Sequence, residues 1–130
     1  MPPPEIQVAA AVIERDGRIL IGRRKRGARH ALKWEFPGGK LEPGETPRTA
    51  LVRELREELA IHAVIGEQLD FYNFQYPGAP LTRLFFYRVT EFSGEPQNLD
   101  FEQIVWALPS LLSTYDFLEG DIAFVRKLAS

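Results

Sequence analysis

The chain has 130 residues, 45% of them apolar, with 16 basic and 18 acidic side chains and a net charge of −2. It has no cysteine, which excludes a disulfide framework, a thiolate nucleophile and a cysteine-bound metal centre, and its two histidines are too few for a histidine-rich site. No segment reaches the apolar length of a membrane span, no signal-peptide pattern opens the chain, and the charge balance neither attracts nor excludes nucleic acid, so one soluble cytoplasmic domain over 1–130 is expected, with a flexible leader at 1–4.

Residues 6–13, IQVAAAVI, read as a largely buried strand, and Asp16-Gly17 as a hairpin turn returning through Ile19–Gly22. GRRKRGARH, from Gly22 to His30, is a basic glycine-bearing loop, followed by a short aromatic stretch from Trp34 to Phe36 that ends at Pro37-Gly38-Gly39. Thr46 suits an N-cap and Pro47 a first helical position. Leu51, Val52, Leu55 and Leu59 then form one apolar stripe at helical spacing, which predicts a helix to about Leu59. Strands are expected at 64–65, 69–76, 84–90 and 103–108, with turns at Pro77–Pro80 and Gly94–Pro96. A short helix at 109–112 and a final one at 121–128 follow. Strands on both sides of a central helix, with a second helix at the end, predict a mixed sheet packed between helices.

Glu54, Glu57 and Glu58 stand at i, i+3 and i+4 and share one helical face beside the apolar stripe. A run of acids is ordinarily a solvated face, and grouping like charges costs stability, which Arg53 and Arg56 offset in part. Such a cluster is also what a hard divalent cation needs, because Mg²⁺ and Mn²⁺ take oxygen ligands and leave positions for water and phosphate. Gly38-Gly39 lets the backbone approach a ligand, where a free carbonyl could join the set. Glu45, just before the helix, could orient its glutamates or accept a proton.

The spacing is Gly39, five residues, Glu45, seven residues, then Arg53-Glu54-Leu55-Arg56-Glu57-Glu58. It resembles the signature of the Nudix hydrolases, G-x5-E-x7-R-E-U-x-E-E-x-G-U with U aliphatic, and departs from it at Ala60, where the family usually has glycine. The segments EFPGGK and Gly44-Glu45-Thr46-Pro47, and the hairpin ending in Arg23-Arg24, are similar to the MutT branch. The resemblance implies an α/β/α sandwich around a mixed sheet. It also implies a Mg²⁺-dependent attack of water on a nucleoside triphosphate, with Mn²⁺ as a substitute, giving monophosphate and pyrophosphate. Glu57 and Glu58 would be direct metal ligands with the Gly39 carbonyl, and Glu54 the general base or a bridging ligand. Arg53 would hold the glutamates, and Glu45 could share the base role.

The MutT branch carries a further acidic metal-site residue six positions before its tryptophan, which from Trp106 lands on Asp100, with Glu102 as the neighbour that could substitute. Fifteen positions after the tryptophan it places a base-reading Asn or Asp, here Asp121, a residue that would otherwise serve as the N-cap of the last helix. Arg24 and Arg29 are candidates for substrate phosphate or base, and Phe36 for the pocket wall. An ionised Asp121 only accepts hydrogen bonds and would match the adjacent donors of guanine, which favours 8-oxo-dGTP. The alternatives are a cytidine nucleotide held by a protonated Asp121, another nucleoside diphosphate-linked substrate, and a non-catalytic nucleotide-binding module. The partner expected is the nucleotide itself, with no membrane and no stable nucleic-acid partner, on a monomer or homodimer.

Overall fold

A computed structural model describes residues 5–130; the leader expected at 1–4 lies outside them. Strand β1 (Ile6–Arg15) runs down the middle of a mixed sheet of order β3-β2-β1-β7-β6. It is parallel to β7 (Leu81–Val89), while β2 (Arg18–Arg23), β3 (Trp34–Glu35) and β6 (Gln68–Gln75) pair antiparallel with their neighbours. The Asp16-Gly17 turn between β1 and β2 has positive φ at both residues, 52° and 75°, as a two-residue hairpin of this hand requires.

The sheet is buried on both faces because β1 and β7 alternate between two apolar clusters. Ala9, Ala11 and Ile13 of β1 face Leu51, Leu55 and Leu59 of α1 (Pro47–Leu59). Ala10 and Val12 face the other way, toward Phe86 of β7 and Phe124 of α2 (Ile122–Ala129), whose rings stack with centroids 4.0 Å apart. This is the α/β/α sandwich expected from the sequence. The apolar stripe of α1 is its buried side, and its start carries the Thr46 cap, a reciprocal Thr46–Thr49 capping box and Pro47 at the head.

Three strands were not foreseen, β3 among them, which was read only as a short aromatic stretch. Gly38–Lys40, expected as a turn, is strand β4, paired antiparallel to β1 with Gly39 opposite Ala9 and Gly38 opposite Ala10. Glu91–Ser93 is β8, paired with β5 (His62–Val64) in a separate two-stranded sheet. All three are short and gain their backbone hydrogen bonds from partners elsewhere in the chain, so local periodicity carries no sign of them. Strand β9 (Gln103–Ala107) extends the sheet beside β2, and a 3-10 segment, Pro109–Thr114, stands where a short helix was expected. Among the described residues no helix is long and apolar enough to cross a membrane.

Candidate active site

A cavity of about 380 Å³ opens where β4, the start of β1 and α1 meet. Its lining brings together Gly39, Glu54, Glu58, Asp100, Arg24, Arg29, Phe36 and Asp121, all foreseen as site residues. It adds Glu35, which was not.

The position of Glu54 depends on Gly39. A Cβ on Gly39 would stand 2.6 Å from the Glu54 carboxyl carbon, so the carboxyl occupies the space that a side chain on β4 would fill. One turn further along α1, Glu58 is buried, and its Oε1 accepts the Gly38 N–H at 2.8 Å. That bond ties the glycine segment to the helix. Burial pushes the Glu58 carboxyl up to about 9, and the charges of Glu35, Glu54 and Asp100 add to the shift. Burial also raises Glu54, against the opposing Arg53 guanidinium.

Asp100 is carried over Glu58 by the way α1 ends. The last carbonyls of a helix lack partners within it. Here Gln97 N–H donates to Leu59 O at 2.9 Å and Leu99 N–H to Glu58 O at 3.0 Å. Asn98 braces the same loop, accepting from Phe101 N–H and donating to Phe101 O at 2.8 and 2.9 Å. Glu102, the alternative to Asp100, instead pairs with Arg26 at the surface and is not among the lining residues.

Two foreseen residues take other positions. Glu45 is gripped by Arg53 through two 2.9 Å hydrogen bonds, from Nε and from Nη2, and this pairing holds its carboxyl down to about 2. A carboxylate so acidic and so committed is a poor proton acceptor, and it stands outside the cavity, so the base role envisaged for Glu45 does not suit its placement. Arg53 also reaches Glu54 at 3.0 Å and Lys40 O at 3.1 Å, which makes it the brace of the helix start. Glu57 is exposed outside the cavity, its carboxylate 3.3 Å from Arg53.

At the opposite wall, Arg24 is held by Arg29 O at 2.7 Å and meets both oxygens of Glu35 at 3.0 and 3.2 Å. Glu35 lies between buried Trp34 and Phe36, and burial raises its carboxyl despite Arg24. The sequence signal for it was a lone acid inside an aromatic strand segment, pointing away from its apolar neighbours. Phe36 sits in the core against Phe86, Phe117 and Phe124, with one edge on the cavity. Arg29 contributes an exposed side chain at the mouth.

Asp121 corrects the N-cap expectation. It begins α2 but makes no capping hydrogen bond; its side chain is buried and lines the cavity. Burial pushes its carboxyl up to about 8, and Glu35 adds to the rise, while the Phe36 backbone amide and Arg24 oppose it. The site is thus a ring of acids facing few cations.

The NUDIX domain model matches residues 3–128. The chain belongs to the Nudix hydrolase family. Over 121 residues it is 42% identical to the CTP pyrophosphohydrolase of Escherichia coli strain K12, covering 93% of this chain and 89% of that protein. It is 37% identical over 124 residues to an 8-oxo-dGTP diphosphatase of Haemophilus influenzae, covering 95% and 90%. Among solved structures, the E. coli ORF135 protein superposes with a TM-score of 0.85 at 40% identity, covering 95% of this chain and 88% of that one. The MutT Nudix hydrolase of Burkholderia pseudomallei gives 0.82 at 27% identity, covering 95% and 97%. The mixed sheet between helices is the fold of both these solved structures.

Proposed function

We propose that this Nudix hydrolase splits a nucleoside triphosphate into monophosphate and pyrophosphate and that 8-oxo-dGTP is its leading substrate. The observation that carries the substrate reading is Asp121, buried on the cavity wall with no bond to its own helix; burial pushes its carboxyl up to about 8, which keeps a proton on it near neutral pH. A neutral carboxyl offers one donor and one acceptor. Guanine oxidised at C8 carries an N7–H donor beside the O6 acceptor, a complementary pair, whereas ordinary guanine presents two acceptors on that edge. This replaces the expectation of an ionised Asp121 reading the N1–H and N2 donors. Cytosine, with its N4 donor beside N3, fits the same neutral carboxyl, so CTP is the second reading. The names of the E. coli and H. influenzae relatives support one substrate each.

Nudix hydrolases use divalent cations, and the donor set here fits one. Among the described residues no three acids form a ready-made cage. The cavity nevertheless gathers Glu54, Glu58 and Asp100, and the Glu58 carboxyl is raised far above its ordinary range by burial and by the neighbouring acids, a penalty that a cation would relieve. Gly39, Glu54, Glu58 and Asp100, together in the cavity, would hold Mg²⁺, and Glu57 would join them by leaving Arg53. Bound there, the cation would neutralise polyphosphate charge and acidify a water. The protein's own groups do the rest. Glu54, held beside Gly39 on the cavity wall, accepts the proton of the attacking water on a carboxylate oxygen. Arg53 fixes Glu54, and Arg24 with Arg29 anchors the nucleotide at the mouth.

The test is a nucleotide panel with Mg²⁺ and product identification. Pyrophosphate release with kcat/KM at least ten-fold higher for 8-oxo-dGTP than for dGTP is expected; a clear preference for CTP would shift the assignment to the second reading. Tight binding without turnover of any nucleotide would return the binding-module alternative.

A further inference from the structure

The start of α2 is secured from another element. Asp121 leaves the helix uncapped, and two tyrosines, Tyr72 in β6 and Tyr76 just past its end, act in its place. Tyr72 hydroxyl donates to Gly120 O at 2.5 Å, and Gly120 N–H donates to the Tyr76 hydroxyl at 2.9 Å. The Phe124 amide, in the first turn of α2, bears on the Tyr72 oxygen as well. Both polar atoms of the residue preceding Asp121 are therefore fixed by phenols four residues apart, one within β6 and one just beyond it. The steric fit is equally close. Gly120 is buried, and a Cβ there would lie 2.8 Å from the Tyr76 oxygen.

Tyr76 is itself held on its other side. Its ring packs on His30 of the basic loop, with centroids 4.8 Å apart, and on Phe74 at 4.7 Å. It lines the same cavity as Asp121, and among the described residues its hydroxyl has no hydrogen bond to Arg53, Glu54 or Glu58.

We propose that Tyr76, supported by Tyr72, is the positioning residue that sets where the Asp121 carboxyl meets the base, so that it governs discrimination between nucleotides rather than the hydrolytic step. The inference rests on the reading of Asp121 as base-reader. A capped helix would have spent the Asp121 carboxyl on its own backbone; the phenols free it for the cavity. Burial, with Asp121 nearby, raises both phenols, so the hydroxyls keep their protons and the clamp persists over the working pH range. A buried N–H left unpaired costs far more than the bond nets, so loss of one phenol oxygen moves the turn rather than loosening it slightly.

The experiment measures kcat and KM for 8-oxo-dGTP and dGTP in Tyr76→Phe, Tyr72→Phe, Gly120→Ala, the Gly120→Ala/Tyr76→Phe pair and Asp121→Ala, with thermal melting to confirm folding. Tyr76→Phe is expected to shrink the kcat/KM ratio between the two nucleotides about ten-fold, mostly through KM. Gly120→Ala should shrink it further, and adding Tyr76→Phe should restore part of that loss by removing the oxygen the new methyl meets. A ratio unchanged in both Tyr→Phe variants, an equal fall for both nucleotides, or a Gly120→Ala effect indifferent to the Tyr76 oxygen would each overturn the clamp. Should Asp121→Ala leave the ratio untouched, the base-reading role fails first and the clamp's purpose with it. Should Asp121→Ala collapse the ratio while the tyrosine variants keep it, only the clamp falls.

Discussion

Gly39 and Asp121 show how much rests on single atoms in this site. Gly39 is required for the space it leaves, because the Glu54 carboxyl lies where its Cβ would be. Gly39→Ala should therefore displace Glu54 and lower kcat about a hundred-fold, the scale of a misplacement near 1 Å, while the melting temperature moves little. Near-normal kcat in a well-folded variant would remove Glu54 from the reaction. Asp121 makes a prediction in pH. With its carboxyl at about 8, the donor it offers is present below that value and lost above it as the proton leaves. The preference for 8-oxo-dGTP over dGTP should then decline between about pH 7 and 9, whereas Asp121→Asn, which keeps a donor and an acceptor at all pH values, should hold a flat ratio. Matching profiles for the two proteins would contradict a neutral Asp121. At this scale the signature acids were legible because their spacing is helical. Glu35 and the Asp121 environment were not, since burial depends on residues far away in the chain.

At the scale of elements, α1 carries the departure from the family pattern. It ends at Ala60 in the left-handed region, φ 57° and ψ 31°, with its N–H bonded to Arg56 O at 3.0 Å. The helix keeps the exit that glycine normally provides and bears the steric cost of a Cβ there. Ala60→Gly should stabilise the protein by about 1 kcal/mol, a rise of about 3 °C in melting temperature, without altering kcat. A fall in melting temperature, read by calorimetry, would mean that the exit is not strained. Helix α1 was readable from Thr46 to Leu59 because its cap, its proline and its apolar stripe agree locally. Strand β4 was not, because Gly38-Gly39 has the composition of a turn and becomes a strand only through its pairing with β1. The loop bearing Asp100 lies between: the acid could be counted from Trp106, but its placement comes from the carbonyls of α1 that the loop satisfies.

For the molecule as a whole, the cost of the site should appear in stability. Glu58 has an ordinary carboxyl value of 4.5 and sits at about 9 in the folded protein. Between those values the folded state holds a proton that the unfolded state has released, so stability falls as pH rises, by up to about 1.4 kcal/mol per pH unit for that group. Asp121 acts in the same sense up to about pH 8. In metal-free protein, Glu58→Gln should raise the melting temperature at pH 8 by several degrees and flatten its pH dependence, while lowering turnover by at least a hundred-fold. Mg²⁺ should stabilise the wild type more at pH 8 than at pH 6 and release protons on binding, measurable by titration calorimetry in two buffers of different ionisation heat. An unchanged pH slope in Glu58→Gln would show that the carboxyl is not the source of the penalty.

Two of the three consecutive alanines of β1, Ala9 and Ala10, pair with Gly39 and Gly38, and all four residues line the cavity. The floor is built of the smallest side chains because its atoms already crowd one another: the Ala9 carbonyl stands where a Cβ on Gly38 would be, and the Glu54 carboxyl where one on Gly39 would be. A mutation to valine at Ala10 would add buried apolar surface and still obstruct the nucleotide without touching a single charged group. Selection for thermal robustness alone would close this enzyme from beneath.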